Sequence, residues 1–120
     1  MALDWSCGPL QAGLNCYRNR EFFEAHEHWE SVWLRLEDPE KSFLQALIQV
    51  TAAFHHLHAA NPAGAISLMQ RALLRLEICP SHFGGIAIEP LREHLGEWLR
   101  ALTTGSSPRR AELPQIEPLP

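Results

Sequence analysis

The run FFEAHEHWESVW, Phe22 to Trp33, places His26, Glu27 and Glu30 within five residues, with Trp29 between them and further ionisable groups at Glu24 and His28. Imidazole and carboxylate groups at i, i+1 and i+4 serve general acid/base chemistry or bind a divalent metal ion. The same residues can also form a hydrogen-bonded cluster that fixes how helices pack. On a helix at about 100° per residue, Phe22, Phe23, His26, Trp29, Glu30, Trp33 and Leu36 share one half of the surface. Glu24, His28, Ser31 and Arg35 lie opposite, with Glu27 at the margin. The aromatics mark that half as buried, so His26 and Glu30 are expected to point inward, where a lone carboxylate would cost several kcal/mol and needs a partner.

Partners are on offer further along. Gln45, Gln49 and His56 form a polar strip, with His55 beside it, on a stretch that is otherwise apolar on every side. The simplest assembly sets His26 and Glu30 against Gln45, Gln49 and one or both of His55 and His56. A metal reading takes His26, Glu30 and His55 as zinc or iron ligands, with Glu27 as a fourth ligand or general base. An acid/base reading uses Glu27 or Glu30 as the catalytic group, and a ligand-binding one adds Gln45 and Gln49. The H-E-x-x-H signature fails because Glu30 stands where its second histidine belongs, and no Glu-x-x-His pair of di-iron bundles is present. His55, His56 and His58 diverge too far around a helix to face one ion. Cys79 and His82 are an isolated pair, Cys7 and Cys16 lack an activating base nearby, and Gly84-Gly85 has no phosphate-loop lysine after it.

The elements that must position these groups are helical. Periodicity predicts helices over about Pro9–Arg18, Glu21–Leu36, Pro39–Ala60, Pro62 to Cys79 and Glu89–Leu102, with the third central and buried on most faces. The Gly-Gly segment Ser81–Ile86 reads as a loop. From Gly105 four of the nine prolines fall within the last 16 residues, so 105–120 should be an extended tail that straps along a helical domain 1–104 or hangs free, the strap being favoured. The expectation is an all-α single compact array of about five helices.

Totals narrow the function classes. The 120 residues suit one domain, and a formal charge of −4 gives no basic excess for nucleic acid. The stretch Ser42 to Gln70 lacks Asp, Glu, Lys and Arg but is broken by glutamines, histidines, Asn61 and Pro62, which is too polar for a membrane span. MALDWSCGPL does not read as a secretory signal, and three scattered cysteines fit a reduced, cytoplasmic protein. A homodimer and a small-molecule ligand remain as partners.

The combination of Phe22-Phe23-Glu24-Ala25-His26-Glu27 with Glu30 and Trp33, then Leu44-Gln45 with Leu47-Ile48-Gln49, then Phe54-His55 and Asn61, Gly64 and Ala65 resembles the domain of unknown function 309 family. The similarity covers roughly Leu10 to Leu102. Ala46 and Ala60 stand where that pattern often has glycine, and His56 and His58 are additional. The resemblance implies a small multihelical, soluble bacterial or archaeal protein with no established activity. The expected function is therefore a helical protein whose His/Glu/Gln cluster is structural or ligand-binding. A zinc- or iron-dependent hydrolase using His26, Glu30 and His55 is the alternative, and a protein-interaction module using the acidic face of the second helix and the Pro-rich tail is the third reading.

Overall fold

The computed structural model describes residues 3–120. Five helices carry the chain: α1 (Gly8–Arg18), α2 (Phe22–Trp33), α3 (Glu40–His58), α4 (Pro62–Glu77) and α5 (Ile88–Thr104). Proline opens α1 and α4 in the first turn, where its missing N–H has no intrahelical acceptor to lose. Asn61 caps α4 by accepting the Gly64 N–H at 3.1 Å. Gly105 ends α5 in the left-handed conformation, with φ of 72°.

The third helix is the axis of the core. Phe43, Leu44, Ala46, Leu47, Ile48, Val50, Ala53 and Phe54 are all buried, so apolar residues on every side meet α2, α4 and the rest of the chain. Helix α1 packs on α2 through one close approach. A Cβ on Gly13 would run into the Trp29 indole, and that indole donates its N–H to the Leu10 carbonyl at 3.2 Å. Trp29 also meets Trp5 edge-on and Tyr17 at a tilt, with ring centroids 5.9 and 6.1 Å apart.

Between α4 and α5 the chain departs from the loop expected over Ser81–Ile86. Two short strands, β1 (His82–Phe83) and β2 (Ile86–Ala87), pair antiparallel. Gly84 and Gly85 supply the turn, with φ of 60° and 80°, the positive pair that a tight two-residue hairpin requires.

The segment after α5 runs extended across α5, α1 and this hairpin. Its main chain bonds with Ala87 and Gly85, the Ala87 N–H donating to Glu117 O and the Leu119 N–H to Gly85 O. Tyr17 and Trp98 donate to the carbonyls of Pro114 and Glu112 at 2.6 and 3.1 Å, and Arg110 pairs with Glu97. That guanidinium holds the Glu97 carboxyl below its ordinary range. Ile116 is buried in the core cluster. The radius of gyration, 13.3 Å, is close to the ~13.6 Å expected for a single compact body of this length.

Tyr17 sits where the tail crosses α1, and burial pushes its phenol far above the ordinary range, so it stays a neutral donor. Tyr17→Phe should cost about 1–2 kcal/mol, because it strands the Pro114 carbonyl while keeping the ring. Urea unfolding followed by circular dichroism reads this as a lower midpoint with an unchanged slope.

Candidate metal centre

Helices α2 and α3 run antiparallel. Phe22 at the start of α2 meets Phe54 near the end of α3, with ring centroids 6.2 Å apart. At the other end the Lys41 ammonium lies 4.4 Å from the Trp33 ring. Equal rise along both helices then sets His26 at the level of Gln49 and Glu30 at the level of Gln45. His26, Glu30 and Trp33 share one stripe of α2, spaced i, i+4, i+7.

That stripe is not the buried face. Phe22, Ala25 and Trp29 are the buried residues of α2, whereas Phe23 is 61% exposed. The inward face is rotated by roughly half a turn-step from the one the aromatics suggested, toward Ala25 and Val32. On this face α1 seats closely, with Gly13 against the Trp29 indole. His26 and Glu30 thus lie at the rim of the helix interface, with side chains 35% and 45% exposed, and Glu27 is 61% exposed. The expectation that His26 and Glu30 point inward is corrected accordingly, and neither carries the full cost of a buried charge.

The polar cluster itself is present. His26 Nδ1 lies 3.4 Å from Glu30 Oε2 and 3.8 Å from Glu27 Oε1. One ligand atom from each of the three residues falls within 4.8 Å of the others. These separations allow ion pairing but exceed the ~2.7–3.2 Å of ordinary hydrogen bonds. Gln49 is buried and its Oε1 has no hydrogen-bond partner among the described residues, but it lies on the α3 stripe of Ser42 and His56, which meet Arg75 and Asn61 on the α4 side. The tightly bonded His–Glu–Gln core network is therefore not formed, since the groups it needs are spaced apart at a rim. Gln45 is half-buried and lines a neighbouring pocket with Trp33 and Lys41.

His55 does not join the group formed by His26, Glu27 and Glu30. It is exposed, and its ring meets that of His56 edge-on at 6.1 Å. A helical step of about 100° separates it from the strip that carries Gln49 and His56. His56 is engaged elsewhere, with Nδ1 3.1 Å from the Asn61 amide nitrogen. Residues that sequence reasoning passed over also converge here: Lys41 and Arg75 border the same pocket as Gln45.

Comparison with known proteins matches residues 10–68 to the family model described as Domain of unknown function (DUF309). The chain belongs to the DUF309 family. The matched segment of this DUF309 chain holds α1, α2, α3 and the start of α4, and so contains His26, Glu27, Glu30, Gln45, Gln49 and His55. It is also similar to an uncharacterized protein of Aquifex aeolicus (strain VF5), 33% identical over 100 residues, which cover 82% of this chain and 30% of the relative. Among the described residues, no helix of this DUF309 protein is long and apolar enough to cross a membrane.

Proposed function

We propose that this protein binds a divalent metal ion, zinc foremost, through His26, Glu27 and Glu30, in a site open to solvent. The observation that carries the reading is the spacing of the ligand atoms. Ligands about 2.1 Å from a tetrahedral ion lie about 3.4 Å from one another, and His26 Nδ1 stands 3.4 Å from Glu30 Oε2. Glu27, at 3.8 Å, closes the set by a small side-chain rotation at an exposed position. Three side-chain ligands at a half-exposed rim leave a coordination position for water, as in catalytic rather than structural zinc sites. The reaction class that fits is metal-assisted hydrolysis, with His55 outside the site.

The cellular setting that goes with this reading is cytoplasmic, supported by three free thiols at Cys7, Cys16 and Cys79. The negative formal charge favours a small-molecule ligand over nucleic acid.

The test is thermal unfolding of the full chain with zinc added to 100 times its dissociation constant. Binding to the folded state alone should raise the midpoint by about 10 °C. A variant with His55, His56 and His58 replaced by alanine should show the same rise. A shift that disappears in that variant while surviving His26→Ala would place the metal on α3 and refute the reading.

A further inference from the structure

The structure assigns a second site, distinct from the metal centre, to the groove between α2, α3 and α4: a pocket for a small oxyanion, a phosphate group above all, held by Lys41 and Arg75. The pocket is a solvent-open groove of about 320 Å³ lined by Trp33, Asp38, Lys41, Ser42, Gln45 and Arg75. Neither cation is spent on a carboxylate, since the ion pairs among the described residues involve Arg18, Arg110 and His26 instead. Both are half-buried and held in place. Arg75 donates to Ser42 Oγ at 2.9 Å, and Lys41 is seated over the Trp33 ring at 4.4 Å.

The one acid in the lining, Asp38, is already engaged. Its Oδ1 accepts the Ser42 N–H at 3.0 Å, closing the first turn of α3. The lining thus carries two free cations against one occupied carboxylate. Ser42 and Gln45 add neutral hydrogen-bonding groups between them. A guanidinium fork and an ammonium converging on one small cavity match the three equivalent oxygens of a phosphate better than any neutral ligand. Trp33 lies three residues beyond Glu30, about 4.5 Å along the axis, so a bound phosphate monoester would present its far end along the same stripe as His26. Anion binding itself needs no metal.

The test uses metal-free full-length protein at low ionic strength, titrated with inorganic phosphate and then phenyl phosphate while backbone amide resonances are followed. Saturable shifts confined to residues around Trp33, Ser42, Gln45 and Arg75 are expected. Lys41→Met and Arg75→Met should each weaken binding about tenfold or more. Asp38→Asn keeps the cap acceptor but removes the opposing charge, so it should fold normally and bind about threefold tighter. Absence of saturable shifts in the wild-type chain, or equal phosphate affinity in Asp38→Asn, Lys41→Met and the parent, would overturn the assignment. Loss of zinc binding in the His26→Ala protein with phosphate binding intact leaves this site standing apart from the metal centre.

Discussion

Trp29→Ala should destabilise the protein by about 4 kcal/mol, the order found when a fully buried large aromatic is truncated. Trp29 has no exposed surface. It joins α2 to α1 by packing on Gly13 and bonding to the Leu10 carbonyl, and it joins both to the N-terminal segment through Trp5. Removing it opens a cavity at the meeting point of three segments and removes the N–H bond that ties α2 to the Leu10 carbonyl. A domain of this length has about 6–18 kcal/mol of total stability, so the loss is a large fraction and should appear as a steep drop in the urea midpoint. Trp29→Phe separates the two causes. It keeps most of the volume and should cost about 1–2 kcal/mol for the lost N–H bond. A cost for Trp29→Ala no larger than that of Trp29→Phe would mean that α1 is not seated on α2 as described.

The second large effect falls on metal affinity. His26→Ala should weaken zinc binding at least 100-fold, because even the outer partners of a metal ligand are worth about 10–100-fold and His26 is the one nitrogen donor of the set. Glu30→Gln should lose a similar amount, since an amide oxygen is a poor substitute for a carboxylate at this distance. Glu27→Gln should lose less, because Glu27 is the most exposed of the three and lies farther from the imidazole than Glu30. Competition against a chromophoric chelator measures all three. The variants should stay folded, since these side chains sit at the rim of the α2–α3 interface rather than within it. This separates loss of a ligand from loss of the fold. Equal affinities for the three variants and the parent would remove the site.

The helices were legible because their signals are local. Proline at the start of α1 and α4, the Asn61 cap and the all-round apolar surface of α3 each act within a turn or two of chain. The rotation of α2 was not legible in the same way. Hydrophobic weight points to Phe23, yet Ala25 is wholly buried and Phe23 exposed, while α1 comes close over Trp29 at Gly13. A small residue's value in packing depends on the distance to a helix elsewhere in the chain, and no single-helix pattern contains that distance. The Gly84-Gly85 pair is the hairpin's one local signal, and a Gly-Gly pair marks a loop equally well. Strands of two residues are too short to show alternation, so the turn chemistry was the sole clue.

The site divides along the same line. His26, Glu27 and Glu30 sit on one helix, and their proximity follows from spacing alone. Linking His55 to them required knowing which side of α3 faces α2, and the structure places that histidine in solvent. The pocket of Lys41, Ser42, Gln45 and Arg75 was invisible for the opposite reason. Trp33, Lys41 and Arg75 come from three different helices, and only their packing brings the charges together.

Elemental analysis after dialysis against zinc, on untagged protein lacking the α3 histidines His55, His56 and His58, tests the metal centre most directly. That protein should hold one equivalent of zinc, and almost none once His26→Ala and Glu30→Ala are added. No bound zinc in the first protein, or the same equivalent in both, would contradict it.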